Sequence, residues 1–167
     1  MAEHTFLDTI KESSFQDYIV EVRGYAGEMT IEVKAEHLHM ILKLLKDQYE
    51  FNYLSDITGS DYYTDEARFE VSYNLVSMAK QQRLRVSCRV EESEPEVDSI
   101  TDLWRSADWY EREVFDMFGI TFKNHPDLRR MFMPEDYAWY PLRKEFPLLG
   151  IPGSIQLPEK DPPKEYK

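Results

Sequence analysis

The prolines of this chain are concentrated at its C-terminal end. Eight of the nine lie at or after Pro126. Proline lacks a backbone N–H and disfavours helix in the residue before it, so this spacing excludes long helices and central strands from that region. Regular secondary structure is therefore expected upstream. We predict a folded body over residues 1–123, followed by an extended, proline-rich C-terminal arm over residues 124–167.

Hydrophobic periodicity in the body indicates an α+β fold. Apolar and polar residues alternate in a hairpin over residues 18–34 and in an antiparallel pair over residues 67–90. Each strand of the second pair is expected to bury one face and solvate the other. A further strand is predicted at about 51–58, ending in a turn at Gly59 and Asp61. The prediction is a mixed or antiparallel sheet with helices packed mainly on one face.

Four segments have helical character. Residues 35–49 place leucine and isoleucine side chains at three- and four-residue steps, which is typical of an amphipathic helix. Short helices are predicted over residues 3–13 and 100–104. The fourth helix would run from Asp108, as its N-cap, to Gly119, which would end it in a left-handed conformation.

Composition excludes several classes of function. The net charge is −12, and residues 124–167 contain seven basic and seven acidic side chains, so the whole negative excess lies in the body. An acidic body argues against nucleic-acid binding, which needs a basic surface. Cys88 is the only cysteine, so the chain cannot supply the thiolates of an iron–sulfur cluster, a cysteine zinc site or a disulfide framework.

No long apolar run is present in the sequence. None approaches the ~18 apolar residues of a membrane span. The N-terminal sequence MAEHTFLDTIKESS lacks the basic start and apolar stretch of a secretory signal. We therefore expect no direct membrane span. The acidic segment 91–98 is interpreted as a solvated loop, with a binding site for a basic partner as the alternative.

The helix predicted after Asp108 carries a group of charged residues. Glu111, Arg112, Glu113 and Asp116 lie within six positions. An ordinary solvated helix face explains them, whereas a carboxylate cluster that holds a divalent metal would make the chain an autonomous metal-dependent hydrolase. Glu111 lies on the apolar side of the helix, so we expect it to be partly buried and paired.

The stretch that follows resembles a family signature. Its residues are Glu111, Arg112, Glu113, Asp116, Met117, Phe118, His125, Arg129 and Met131. In type and spacing they resemble the signature of the 30 kDa subunit of respiratory complex I, the proton-translocating NADH:quinone oxidoreductase. The similarity continues at Arg130 and returns at Arg143 and Lys144. Phe132 departs from the family, which more often has an aliphatic residue or tyrosine there.

The resemblance implies a non-catalytic subunit of the hydrophilic arm that supports assembly and rigidity. In this family the chain binds no cofactor, and flavin, iron–sulfur clusters and quinone are held by neighbouring subunits. The C-terminal region packs along the 49 kDa subunit, near the small subunit that carries the last cluster. The implied location is peripheral, on the cytoplasmic side of the bacterial inner membrane. The alternative is that the chain is the equivalent subunit of a membrane-bound hydrogenase, or of a quinone oxidoreductase that uses another electron donor.

The arm is expected to depend on a partner. The aromatic residues predicted to anchor in partner pockets are Phe132, Tyr137, Trp139, Tyr140 and Phe146. The basic residues predicted to pair with partner carboxylates are Arg129, Arg130, Arg143 and Lys144. His125 is expected to make a structural hydrogen bond to the helix carboxylates or to a partner rather than to transfer protons. The alternative is that part of the arm folds back on its own sheet.

Overall fold

The computed structural model describes residues 16–63 and 65–155. The predicted helix over residues 3–13 lies outside them. The strands and helices are β1 (Ile19–Tyr25), β2 (Glu28–Lys34), α1 (Leu38–Asp47), β3 (Tyr53–Asp61), β4 (Phe69–Ser77), β5 (Gln82–Val90), β6 (Glu96–Asp98), α2 (Ala107–Phe118) and β7 (Thr121–Lys123). Within the described residues, neither helix has the length and apolar character needed to cross a membrane.

Five strands form one mixed sheet. Their order across the sheet is β1, β2, β5, β4, β3. Neighbouring strands are antiparallel except β2 and β5, which run parallel. The turn between β1 and β2 places Ala26 and Gly27 at positive φ. The predicted α+β class and both predicted antiparallel pairs are confirmed.

The hydrophobic core lies between one face of the sheet and the two helices. Ile31, Val86 and Tyr73 form one row across β2, β5 and β4, and all three are buried. The buried residues of α1 are Leu38, Ile41, Leu42 and Leu45. Each such side chain contributes about 1.5–3 kcal/mol when fully buried. The apolar residues that predicted α1 are therefore the residues that α1 buries in the core.

The second helix packs closely on β3. A Cβ atom at Gly59 would lie 2.6 Å from Cδ2 of Phe118 and 3.2 Å from Cγ1 of Val114. Glycine at this position therefore lets the helix approach the strand backbone. The predicted turn at Gly59 and Asp61 is wrong, because both residues lie within β3, where Asp61 is opposite Phe69 of β4.

The opposite face of the sheet is polar but not uniformly solvated. Glu70 lies beside Arg89, as the alternation predicted, with 3.6 Å between Oε2 and Nε. Even so, Glu70, Ser72 and Ser87 are buried. The guanidinium of Arg89 lies 4.2 Å from the ring centre of Tyr62. The predicted solvated face is therefore wrong at the centre of the sheet, where Tyr62, from the segment before β4, packs against Arg89.

Two local predictions around α2 need correction. Residues 100–104 form a hydrogen-bonded turn instead of a helix, with the N–H of Trp104 donating to the carbonyl of Ile100 at 2.9 Å. A segment this short has too few hydrogen bonds to offset helix nucleation. Asp108 is not the N-cap, because α2 already begins at Ala107.

A small parallel ribbon was not predicted. β6 and β7 pair in parallel and form a separate two-stranded sheet. β6 lies inside the acidic segment 91–98, so the predicted solvated loop is wrong for that part, where Val97 is buried. Strands of three residues are too short for a hydrophobic period to develop, which is why periodicity does not reveal them.

Candidate functional site

The C-terminal segment returns to the body and lies along α2. The N–H of Leu142 donates to the carbonyl of Met117 at 3.1 Å, and Nε of Arg143 donates to the carbonyl of Phe118 at 2.7 Å. The described part of the arm, residues 124–155, contains no helix or strand. Part of the arm therefore folds back within the chain, mainly on α2. The alternative left open by the sequence, folding back on the sheet, is met at Lys144, whose N–H donates to Asp61 of β3 at 2.8 Å.

Asp116 organises the first part of the arm. Its Oδ2 accepts the N–H groups of Met131, Phe132 and Met133 at 3.0, 2.6 and 3.0 Å. Its Oδ1 accepts from Nη1 of Arg130 at 2.7 Å. Burial alone would raise the pKa of Asp116, but the backbone donors and the guanidinium together hold it below its ordinary value. One carboxylate thus provides the hydrogen-bond acceptor for three consecutive backbone N–H groups that lie outside any helix or strand.

Arg112 holds the arm from the other side. Its Nε and Nη2 donate to the carbonyls of Arg129 and Arg130 at 3.1 and 3.3 Å. Its guanidinium carbon lies 4.9 Å from the ring centre of Trp109. Arg112 is buried, whereas Arg129 points its own exposed guanidinium at Asp127, with 2.9 Å between Nε and Oδ2. Arg112 therefore joins α2 to the arm through backbone carbonyls.

Arg130 connects Asp116 to the aromatic part of the arm. Its Nη2 donates to the carbonyl of Trp139 at 3.3 Å, and its guanidinium carbon lies 5.0 Å from the ring of Tyr140 and 5.9 Å from that of Tyr137. Tyr137 is buried within the chain. Both Tyr137 and Arg130 are thus engaged inside their own chain, and their predicted partner roles stay predictions.

The arm crosses α2 at its C-terminal end. Gly119 ends the helix with a φ of 74°, as predicted, and its N–H donates to the carbonyl of Phe115 at 2.8 Å. A Cβ atom at Gly119 would lie 2.6 Å from the ring of Tyr140 and 2.8 Å from Nη2 of Arg143. Glycine is needed here both for the backbone conformation and for the passage of the arm. Arg143 stacks on Tyr140 at 4.6 Å, so this predicted partner residue also makes its contacts within the chain.

An ion cluster around the buried pair Asp61 and Arg68 fixes the next part of the arm. Asp61 accepts two hydrogen bonds from Arg68, at 2.8 and 2.7 Å, and one from the N–H of Lys144 at 2.8 Å. Arg68 also pairs with Glu92 and Glu145. The guanidinium of Arg68 outweighs the effect of burial and lowers the pKa of Asp61 to about 2. Lys144 takes part through its backbone, while the residue stays exposed.

The role of Arg68 was not predicted from the sequence. Its only local signal is a charged side chain immediately before a strand, which is ordinary at a strand end. Its partner Glu145 lies 77 positions further along the chain. No spacing rule connects residues so far apart, so only the folded chain reveals the cluster.

Glu111 and His125 form a second buried polar site. Both side chains are fully buried, with 3.9 Å between Oε2 and Nε2. Oε1 of Glu111 accepts the N–H of Ile100 at 2.7 Å, and burial raises the pKa of Glu111 to about 7. His125 makes structural hydrogen bonds to backbone groups: Nε2 lies 3.2 Å from the carbonyl oxygen of Asp108, and Nδ1 accepts the N–H of Asp127 at 3.0 Å. Its Nε2 also lies 3.4 Å from Oδ1 of Asp108, so the expected proximity to a helix carboxylate is present as well.

The carboxylates of α2 do not converge on a common point. Glu111 is buried, the oxygens of Asp116 are occupied by the arm, and Glu113 is exposed. Among residues 16–63 and 65–155, no group of three His, Cys, Asp or Glu side chains is arranged to hold a metal ion. The hydrolase alternative therefore has no ligand set in this part of the chain.

The outer side of the arm presents apolar side chains to solvent. Phe132 is 59% exposed and Trp139 is 41% exposed, whereas Tyr140 and Phe146 are half-buried. Other exposed apolar residues of the arm are Leu142, Leu148, Leu149 and Ile155. The arm thus engages the side chains of Arg130 and Arg143 within the chain and leaves several large apolar side chains exposed.

Curated relatives match this chain over nearly its whole length. The NADH-quinone oxidoreductase C subunit of Citrifermentans bemidjiense is 41% identical over 164 residues, which cover 98% of each chain. The protein of the same name from Geobacter sulfurreducens is 38% identical over 165 residues, again covering 98% of each chain.

Solved structures share the architecture. A trypsin-resistant fragment of Nqo5 is 33% identical, with a TM-score of 0.67 over 77% of this chain and the whole of that fragment. A chain of the membrane-bound sulfane sulfur reductase, an archaeal respiratory membrane complex, has a TM-score of 0.76 over 89% of this chain and 88% of the other. At 23% identity the second similarity shows the fold alone.

The matched family covers the part of the chain that holds the returning arm. The sequence model of "Respiratory-chain NADH dehydrogenase, 30 Kd subunit" matches residues 31–151. This range includes both helices and the charged residues of α2 that bind the arm. The chain belongs to the family of the 30 kDa subunit of respiratory-chain NADH dehydrogenase.

Proposed function

We propose that this chain is a non-catalytic structural subunit in the hydrophilic arm of a proton-translocating NADH:quinone oxidoreductase. There it supports electron transfer from NADH to quinone that is coupled to ion pumping. The observation that carries the proposal is the family match over residues 31–151. Relatives near 40% identity over almost the full length are named as the C subunit of NADH-quinone oxidoreductase.

The signature side chains support a structural role. Asp116, Arg112 and Arg130 bind backbone groups of the arm or one another. A catalytic group needs access to its substrate, whereas these groups are occupied by contacts inside the chain. Their arrangement stabilises the shape of the subunit and directs the arm across α2.

The exposed side of the arm supports a partner surface. Large aromatic and aliphatic side chains left exposed on one segment are typical of a protein interface. Phe132, Trp139, Leu148 and Leu149 supply such a surface. We assign its partners as the 49 kDa subunit and the adjacent small cluster-bearing subunit, which the family resemblance implies.

The cofactors of the reaction belong, in this proposal, to neighbouring subunits. Flavin, iron–sulfur clusters and quinone would be held there. Cys88 fits this assignment, because burial raises the pKa of its thiol to about 12 and so disfavours the thiolate that metal binding requires. The subunit would be peripheral on the cytoplasmic side of the bacterial inner membrane and would be carried there by the complex.

A double substitution on the arm surface tests the partner role. Phe132→Ala with Trp139→Ala, introduced into the full chain in its native host, should reduce co-elution with the cluster-bearing subunits by roughly 10-fold or more. Tyr25→Ala is the matched control, since Tyr25 is 86% exposed on β1 and distant in sequence from the arm. Quinone reduction per assembled complex should be unchanged. Normal co-elution of the double variant would contradict the proposed surface.

A second candidate is the equivalent subunit of a membrane-bound hydrogenase or of an oxidoreductase fed by another donor. This candidate is retained because the chain shares its fold with a chain of the sulfane sulfur reductase. Purification through a tag on this chain separates the two. A co-purifying subunit that binds flavin and NADH supports the first function, and a native complex without one supports the second.

A further inference from the structure

We propose that Glu111 carries a proton in the fold under mildly acidic conditions and that its ionisation, as pH rises through neutrality, loosens the contact between α2 and the residues around His125. Glu111 would then act as a pH-sensitive latch between the body and the start of the arm. This property is separate from the structural function above, because it concerns the protonation state of one side chain in this chain alone.

The two carboxyl oxygens of Glu111 have different surroundings. Oε1 accepts the N–H of Ile100 at 2.7 Å. Oε2 is buried and has no hydrogen-bond partner among the described residues. A buried carboxylate oxygen without a donor is costly. A proton on the carboxyl group removes the buried negative charge, and that charge is the larger cost.

His125 does not act as a counter-ion in this arrangement. Its Nδ1 accepts the N–H of Asp127 at 3.0 Å, so in this hydrogen bond the nitrogen presents a lone pair. Its Nε2 lies 3.2 Å from the carbonyl oxygen of Asp108 and 3.4 Å from Oδ1 of the same residue, so this nitrogen faces Asp108. The 3.9 Å between Nε2 and Oε2 of Glu111 is too long for a hydrogen bond. The imidazole therefore leaves the carboxyl group unneutralised.

The other groups that face Glu111 are neutral or acidic. The hydroxyl of Ser99 and the N–H of Ile100 favour the ionised form, while Asp108 and Asp102 disfavour it. From β4, the Tyr73 hydroxyl is buried and interacts electrostatically with Glu111. These groups, all within the described residues, include no cation. Burial is the largest effect and raises the pKa of Glu111 to about 7, in agreement with the geometry.

Ionisation would act on the first residues of the arm. His125 and Asp127 lie at the boundary between β7 and the returning segment, and the imidazole is bound beside Glu111. A negative charge on Glu111 is relieved most readily by water entering at this boundary. The latch should therefore open locally at residues 125–128 before the sheet unfolds.

Stability of the full chain against pH tests the proposal. The pKa of Glu111 is raised from its ordinary 4.5 to about 7 in the folded chain, so its stabilising effect is complete below about pH 4.5 and is lost as pH rises through 7. The unfolding equilibrium constant should rise on the order of 50-fold between pH 5 and pH 8 through this group. Asp61 and Asp116 have lowered pKa values and stay ionised across this range, so they add no slope.

Glu111→Gln is a neutral substitute of the same shape. It should remove this pH slope and make hydrogen exchange at residues 125–128, corrected for intrinsic rates, independent of pH. Glu113→Gln, an exposed neighbour on the same helix, should keep the wild-type slope. A slope retained in Glu111→Gln, or lost in Glu113→Gln, overturns the proposal.

Wild-type protein provides a test that needs no variant. With carbon-13 labelled glutamate side chains, one carboxyl resonance of the folded chain, absent from Glu111→Gln, should titrate near pH 7. If Glu111→Gln fails to fold, this measurement decides the question. Titration of every glutamate below pH 6 would overturn the proposal.

Discussion

At the scale of single residues, three buried carboxyl groups show how surroundings set charge. Asp61 and Asp116 each accept hydrogen bonds from an arginine and from at least one backbone N–H of the arm, and their pKa values are lowered. Glu111 accepts a backbone N–H and, within the described residues, pairs with no arginine, and its pKa is raised. The same chemical group is thus stabilised as an anion at two sites and as a neutral acid at the third.

Asp61 should make the fold sensitive to acid. Its pKa is about 2 in the folded chain, against an ordinary value of 3.8. The stabilising effect of the anion is therefore present above about pH 4 and is lost as pH falls toward 2. The difference corresponds to about 2 kcal/mol of unfolding free energy. Asp61→Asn lacks this contribution, so its stability should change less than that of the wild type between pH 4 and pH 2.

Chemical denaturation at a series of pH values measures this difference directly. Arg68→Gln should likewise show a smaller change in stability between pH 4 and pH 2 than the wild type, since it removes the main cause of the low pKa of Asp61. Equal losses of stability on acidification in wild type and Asp61→Asn would show that the Asp61–Arg68 pair is not an acid-sensitive element.

At the scale of secondary structure, the end of α2 decides where the arm can pass. The helix ends at a glycine with positive φ, and the arm crosses at that glycine. The helix terminus and the arm contact thus depend on one residue, Gly119. Its conformational role was predictable from the sequence. Its contact with Tyr140 was not, because the two residues are far apart along the chain and meet only after the arm has turned back.

Gly119→Ala should destabilise the chain more than Gly150→Ala. Both glycines have positive φ, 74° and 71°, but an added Cβ meets Tyr140 at 2.6 Å at Gly119 and, among the described residues, meets nothing within 4 Å at Gly150. The backbone strain alone costs about 1 kcal/mol at either site. The clash at Gly119 should add about 1–3 kcal/mol, measured by denaturant unfolding. Equal losses in the two variants would contradict a close crossing of the arm.

Longer elements were predictable where their hydrophobic period is sustained. The strands β1, β2, β4 and β5 and the helix α1 follow alternating or helical spacing over seven or more residues. The predicted helix over residues 100–104 and the unpredicted strands β6 and β7 are too short for a period to develop. Their conformation depends on neighbours, such as the carboxyl group of Glu111 that accepts the N–H of Ile100.

At the scale of the whole molecule, the arm is divided into a docked and an exposed part. Its course from Arg129 to Lys144 is fixed to α2 and β3 by hydrogen bonds. Beyond it, Leu148 and Leu149 are fully exposed. The docked part continues the body, and the exposed part extends the surface proposed for partners.

Hydrogen exchange should reveal this division in the isolated full chain. The amides of Met131, Phe132 and Met133, which donate to Asp116, should exchange slowly, and residues 148–155 should exchange quickly. In the assembled complex, residues 148–155 should become protected. Fast exchange of all arm amides in the isolated chain would mean that the arm docks only with a partner, as the sequence alone suggested.

Local sequence is sufficient to specify the fold class, the longer strands, the core helix and the family signature. Hydrophobic periodicity, the positions of glycine and proline, and a short sequence motif indicate these features. Each of these signals depends only on residues that are close together in sequence. Which charges are buried, and with what partners, was settled only in the folded chain. Arg68 pairs with Glu145, and Asp116 accepts the N–H of Phe132, although the members of each pair are too far apart in sequence for a local pattern to predict the contact. Such pairings depend on the path of the folded chain, because hydrogen bonding and desolvation act through space rather than along the sequence.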